Sequence, residues 1–176
     1  MAKKVLVAYG SRYGGTREIA EKIGDVLKQE NLEVDVLSAD RAGDPAQYDG
    51  VIIGSAVYIG QWRKEAANYL IKNEARITGK PLWLFSSGPT GEGDPVELMK
   101  GWRYPKKLEP VINRLKPRDN AIFGGVAKES DLNFLFRFML SRVKAPLGDF
   151  RNWDIITDWA KKIAGELKPK VKSKRK

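Results

Sequence analysis

The sequence predicts an α/β fold, a parallel sheet of five strands with helices on both faces, and three observations predict it. Short apolar, β-branched runs recur along the chain with amphipathic stretches between them, the alternation that builds a parallel sheet. Four of these runs, VLVAY, VIIG, PLWLF and AIFGGV, are apolar without alternating, as strands covered on both faces require. At 176 residues the chain is long enough for one sizeable core and short for two.

The first strand is expected over Lys3 to Tyr9. A helix follows from Thr16 to Gln29, with Ile19, Ala20, Ile23, Val26 and Leu27 on one face and the Thr16 hydroxyl as its cap. The second strand, Leu32 to Leu37, alternates (LEVDVL) and therefore belongs at an edge of the sheet. The third strand spans Gly50 to Gly54. After it, Trp62 to Glu74 reads as a helix with Trp62, Ala66, Tyr69 and Leu70 inward. The fourth strand spans Pro81 to Ser86. The turn formers of SSGPTGEGDP then make Ser86 to Tyr104 a long loop. A short helix from Pro110 to Leu115 leads to the fifth strand, Asn120 to Val126. Asp131 to Lys144, DLNFLFRFMLSRVK, reads as an additional helix capped by Asp131. The last helix, Trp153 to Leu167, turns Trp153, Ile156, Ala160, Ile163 and Leu167 inward.

Composition excludes several chemistries. With no Cys and no His, disulfides, thiolate catalysis, imidazole acid/base work and the usual zinc and iron–sulfur ligands have no side chains to supply them. Redox chemistry in this chain therefore needs a bound cofactor. The net charge of +10 is concentrated at the end: KPKVKSKRK, from Lys168, holds six basic residues, leaving 26 basic against 22 acidic, a net +4, before it. A domain over residues 1–167 and a basic, disordered tail over 168–176 are expected, with weak electrostatic adhesion to phosphates and no specific nucleic-acid site. No apolar run reaches the roughly 18 residues of a membrane span. The N-terminus, MAKKVLVAYG, lacks a signal-peptide core, so a cytoplasmic protein is expected.

In an open α/β sheet, ligands bind beyond the carboxyl ends of the strands, where strand order reverses. After the first strand come Ser11, Arg12, Tyr13, Gly14, Gly15 and Thr16, leading directly into a helix. Small residues and hydroxyls at a helix N-terminus make an anion site. Gly15 is followed by Thr16, with no Lys for a Walker loop, and Ser11-Arg12-Tyr13 breaks the dinucleotide fingerprint. A terminal monophosphate remains, beside the plainer reading of a glycine-rich turn that binds nothing.

The stretch SRYGGTREIA resembles the phosphate loop of flavodoxins, in which Ser/Thr-x-x-Gly-x-Thr encloses the phosphate of flavin mononucleotide (FMN). The loop Ser55-Ala56-Val57-Tyr58-Ile59-Gly60 is similar to the flavodoxin loop that carries an aromatic residue and a glycine beside the flavin ring, and SSGPTG to the third flavin loop. The resemblance runs to about Leu167. It is greatest to flavodoxin-domain proteins of the menaquinone-dependent protoporphyrinogen oxidase type, on the first-loop Arg, SAVYIGQWRKEA and the basic, apolar helix before a Trp-bearing last helix. It implies a flavodoxin-like sheet of order 2-1-3-4-5 and non-covalent FMN. Ser11, Arg12, Tyr13, Gly14, Gly15 and Thr16 would surround the phosphate; Ser55, Ala56, Val57, Tyr58, Ile59 and Gly60 would line the ring, with Ser87 and Gly88 on the third loop. Gly60 would let a peptide group turn toward flavin N5.

Two departures mark this chain: SSGPTGEGDP has no aromatic to cover the second ring face, leaving that face open or to Trp62 or Trp102, and the chain is basic. Both favour an oxidoreductase moving electrons from a hydrophobic donor such as protoporphyrinogen IX to a quinone. The lack of a recognisable acid/base residue in these loops favours the alternative, an electron carrier serving a redox partner protein. A flavin-free binding protein is the third reading. The helix expected at Asp131 to Lys144 is either core or, with the basic tail, a peripheral contact with a membrane or a hydrophobic substrate.

Overall fold

The structure, a computed structural model, describes residues 2–128, 130 and 146–168. The helix expected at Asp131 to Lys144 and nearly all of the basic tail lie outside the described residues.

Five strands run parallel in one sheet: β1 (Lys4–Gly10), β2 (Glu33–Ser38), β3 (Gly50–Tyr58), β5 (Leu82–Ser87) and β6 (Asp119–Phe123), in the order β2-β1-β3-β5-β6. A two-residue strand, β4 (Gln61–Trp62), pairs antiparallel with the end of β3 and supplies the only difference in numbering from the expected 2-1-3-4-5 order. The alternating strand β2 does lie at an edge. Helix α1 (Gly15–Gln29) crosses from β1 to β2, and α2 (Lys64–Lys72) with the short α3 (Glu74–Ile77) crosses from β3 to β5. Within the expected long loop, Asp94 accepts the Val96 N–H at 2.8 Å and starts the one-turn α4 (Pro95–Leu98). Helix α5 (Glu109–Leu115) precedes β6, β7 (Val126–Ala127) pairs with β8 (Gly148–Asp149), and α6 (Trp153–Leu167) ends the described chain.

The sheet divides two cores. On one side, α1 and α6 bury Ile19, Ile23, Leu27, Ile156, Ile163 and Leu167 against Val5, Val7, Ile52 and Phe85. On the other, α2, α3 and α5 bury Tyr69, Leu70, Ile77, Ile112 and Leu115 against Leu6, Ile53 and Leu84. Burial on both faces is the physical reason the central strands are uninterrupted apolar runs.

Three expected elements move. Trp62 lies in β4, not in a helix, so α2 begins two residues later; it ends at Asn73, whose side-chain amide donates to the Tyr69 carbonyl at 2.9 Å. The fifth strand stops at Phe123, opposite Ser87, the last residue of β5; beyond it Gly124 passes so close to the backbone of Phe150 that a Cβ there would stand 2.0 Å from its carbonyl oxygen. The third strand runs on to Tyr58, past the expected end at Gly54.

Gly54 itself lies under the ring of Phe85, which packs edge-on to Trp159 with centroids 6.2 Å apart; a Cβ at Gly54 would stand 1.9 Å from the ring. Gly54→Ala should therefore destabilise the fold by about 1–3 kcal/mol through overpacking, read as a lower urea midpoint with an unchanged slope. An unchanged midpoint would contradict this packing.

Candidate functional site at the carboxyl edge of the sheet

Register places three loops on one edge. Gly10 of β1 is opposite Ser55 of β3, Ala56 of β3 is opposite Ser87 of β5, and Ser87 is opposite Phe123 of β6. The residues after these strands therefore emerge side by side.

In the first loop the Ser11 hydroxyl accepts the Gly14 N–H at 3.2 Å and closes the turn. Gly14 is the N-cap of α1 with φ at 91°, a left-handed backbone that glycine adopts without a Cβ clash. That geometry moves the cap away from Thr16, the expected capping residue, which sits inside the helix and is 3% exposed. The Glu18 N–H is the first to bond back, to the Gly14 carbonyl at 3.0 Å. Gly15, Thr16 and Arg17 thus open the helix with N–H groups that have no intrahelical acceptor, and a glycine cap has no side chain to offer them. Arg12 is exposed, its guanidinium 5.1 Å from the Tyr13 ring centre.

The loop is braced from behind. A Cβ on Gly15 would stand 2.5 Å from Val126 in β7. Arg151, its side chain 4% exposed, donates to the Gly15 carbonyl at 3.2 Å and pairs with Glu18 and Asp149, each at 2.6 Å. Two carboxylates balance this one guanidinium, so the brace adds no net positive charge. Nothing local in the sequence signals it, since Arg151 and Glu18 are 133 positions apart.

The second loop is a hairpin tip. Tyr58 pairs with Gln61 across Ile59 and Gly60, whose φ values of 50° and 67° are those of a two-residue turn with both central residues left-handed. Gly60 fits that role. Ile59, β-branched and 82% exposed, holds a left-handed backbone that costs about 1–2 kcal/mol for an L-residue. Val57 and Tyr58 are half-buried, while Ser55 and Ala56 are buried. The Ser55 hydroxyl donates to the Ala56 carbonyl at 2.9 Å and accepts the Arg63 N–H at 2.8 Å, so its bonding is spent inside the scaffold.

In the third loop Ser87 is buried and its hydroxyl reaches the Gly124 carbonyl at 3.5 Å. The Gly88 N–H donates to the Phe123 carbonyl at 3.3 Å, and a Cβ at Gly88 would stand 3.0 Å from that of Val57, so the second and third loops touch there. The two tryptophans differ in place. Trp62 is buried and donates its indole N–H to the Ser86 hydroxyl at 2.9 Å, acting as a strut between β4 and β5. Trp102 is half-buried and donates its indole N–H to the Gly60 carbonyl at 3.2 Å, at the hairpin tip.

The donor set suits a phosphate: unpaired helix-terminal N–H groups, a left-handed glycine, a hydroxyl and an exposed guanidinium converge on one turn. Among the described residues, no cluster of three acidic side chains could hold a metal ion, and no helix is long and apolar enough to cross a membrane.

The brace gives a pH dependence. Hydrogen bonds from Arg151 hold the Asp149 carboxyl below the ordinary carboxylate range. A lowered folded-state value means the stabilisation is present above the unfolded value of about 4 and is lost as pH falls through the lowered one. Asp149 is 43% exposed, which keeps the effect modest. Arg151→Met should flatten the acid-side loss of stability, read from urea midpoints taken at neutral pH and near pH 3; parallel losses in both proteins would contradict this.

A family model, the Flavodoxin domain, matches residues 6–153. Protoporphyrinogen IX dehydrogenase [quinone] of Escherichia coli (strain K12) is 26% identical over 171 residues, covering 89% of this chain and 88% of that protein. The protein of the same name from Escherichia coli O157:H7 matches to the same extent. Among solved structures, a flavodoxin from the domain Archaea aligns with a TM-score of 0.65 at 15% identity, over 94% of this chain and 99% of that one. The Streptococcus pneumonia TIGR4 flavodoxin aligns at 0.61 and 18% identity, over 93% and 99%. With its parallel sheet, its strand order and its matched span, the chain belongs to the flavodoxin domain family, whose members carry electrons on a bound flavin.

Proposed function

We propose that the protein binds FMN non-covalently at the carboxyl edge of the sheet and acts as an oxidoreductase, moving electrons from a hydrophobic donor of the protoporphyrinogen class to a quinone. The observation that carries the cofactor assignment is the pairing of the open N-terminus of α1 with the left-handed turn at Ile59-Gly60 on the adjacent strand. The likeness to the quinone-linked E. coli dehydrogenase, over 89% of the chain, supports the choice of donor and acceptor.

In this reading the N–H groups of Gly15, Thr16 and Arg17, with the Ser11 and Thr16 hydroxyls, bind the phosphate, and the Arg12 guanidinium offsets its charge. Tyr58 supplies an aromatic face for the ring, and Ile59 and Gly60 its edge, while Ser87 and Gly88 close the far side. Ser55 and Ala56 hold the loop from which these residues project. The bound flavin would supply a reversible two-electron couple, for which this Cys-free chain has no dithiol of its own. Per turn the donor loses two electrons and two protons and the quinone gains them. The flavodoxin-like domain would span 1–167, with segment 131–144 and the basic tail meeting the membrane surface at which quinone is found.

The alternative reading, a carrier serving a redox partner protein, is favoured by one observation: residues 11–16, 55–60 and 87–88 include no carboxylate, imidazole or thiol.

An anaerobic reductive titration of the FMN-loaded protein, followed by reoxidation with a menaquinone analogue, separates the two. Rapid reoxidation by the quinone is expected; a reduced protein inert to quinone would favour the carrier. Arg12→Ala should weaken FMN binding roughly tenfold, about the worth of one charge-assisted contact, and leave riboflavin binding unchanged. Equal losses for FMN and riboflavin, measured by fluorescence quenching, would remove Arg12 from the phosphate site.

A further inference from the structure

The Arg151 side chain is 4% exposed, and its guanidinium is committed inside the protein. Nε and Nη2 donate to the Asp149 carboxylate at 2.8 and 2.6 Å, and the face lies 4.6 Å from the ring centre of Trp153. Nη1 donates both to the Glu18 carboxylate, at 2.6 Å, and to the Gly15 carbonyl, at 3.2 Å. Arg151 therefore acts on the first loop through the groups it holds. The anchor lies outside that loop, because Asp149 belongs to β8, whose partner β7 sets Val126 against Gly15.

Glu18 is the held group with a consequence for an anion. It stands in the first turn of α1, where the open N–H groups of Gly15, Thr16 and Arg17 and the positive end of the helix dipole attract a carboxylate. Helical side chains lean toward the N-terminus of their helix, and the Glu18 side chain is 40% exposed, so solvent does not confine it. The cap, Gly14, has no side chain to occupy those donors first. Left free, Glu18 would compete for the N–H groups that an incoming anion needs. In the structure it shares Nη1 with the Gly15 carbonyl instead, and helical carbonyls point down the axis, away from the N–H groups at the start.

We propose that Arg151 is a positioning residue of the phosphate site: it detains the Glu18 carboxylate on the carbonyl side of Gly15, which keeps the N–H groups at the start of α1 for the phosphate of the ligand. The inference rests on the reading that the FMN phosphate lies at that helix start. Plain attraction between guanidinium and phosphate is not the source of the effect, since Glu18 and Asp149 together outweigh the one positive charge. What matters is which carboxylate is held, and only ligands that carry the phosphate benefit.

The test measures FMN and riboflavin affinities by fluorescence quenching in the full chain, for wild type, Arg151→Met and two double variants. Arg151→Met/Glu18→Gln removes the competing carboxylate, and Arg151→Met/Asp149→Asn has the same formal charge but leaves Glu18 unheld. Arg151→Met is expected to weaken FMN about tenfold, the worth of one charge-assisted hydrogen bond, with riboflavin unchanged. Adding Glu18→Gln should recover most of that loss, and adding Asp149→Asn should not. Equal recovery in both doubles would reduce the effect to net charge and overturn the inference. Unchanged FMN affinity in Arg151→Met, or equal losses for FMN and riboflavin, would overturn it as well while leaving the cofactor assignment standing. A wild type that binds no FMN would overturn the cofactor assignment and the inference with it. Should Arg151→Met fail to fold, Arg151→Gln, whose amide can still donate to the Gly15 carbonyl, carries the same comparison.

Discussion

The hydroxyl of Ser55 is the point at which the carboxyl edge of the sheet is tied together. It is fully buried, accepts the N–H of Arg63 at 2.8 Å and donates to the carbonyl of Ala56 at 2.9 Å, while its strand neighbours are Gly10 on β1 and Ser86 on β5. Gly10 must be small there, because a Cβ would stand 2.8 Å from that of Arg63. Ser86 in turn receives the indole N–H of Trp62. The ends of three parallel strands, the returning strand β4 and the start of α2 are therefore locked into one layer of small residues and short hydrogen bonds. The three loops of the candidate site leave the sheet from this layer. Without the hydroxyl, the part-buried Arg63 N–H would lose its partner, at a cost of about 1 kcal/mol.

On that platform the first two loops of the candidate site use different physics. The first gathers unpaired N–H groups at a helix start and places the balanced Arg151 pairings behind them, so the groups it offers an anion are those N–H groups and Arg12 at the surface. The second holds a left-handed hairpin tip whose strain is maintained by contacts from elsewhere, Trp102 among them. A rigid scaffold with strained, exposed loops at one edge is the arrangement from which α/β sheets build ligand sites.

Much of this was legible in the sequence, for reasons specific to each element. The central strands read as unbroken apolar runs because both faces are covered, and β2 read as an edge because it alternates. The last helix was legible to its end residues, since its apolar stripe opens at Trp153 and closes at Leu167. What was not legible depends on distant partners. Trp62 and Ala66 share a helical spacing, yet cross-strand pairing with Val57 takes Trp62 into β4. The sequence places the cap of α1 at Thr16, and the left-handed Gly14 moves it two residues earlier. The hold of Arg151 on Glu18 and Gly15, and that of Trp102 on Gly60, follow from loop paths that no local pattern encodes.

In the proposed function one ligand, FMN, binds across the ends of β1, β3 and β5. The most direct test is a map of backbone amide shifts on adding FMN to the isotope-labelled protein. Large perturbations confined to residues 11–17, 55–60 and 87–88 are expected, with the N–H signals of Gly15, Thr16 and Arg17 among the largest. Perturbations centred elsewhere on the protein, or none at saturating FMN, would contradict it.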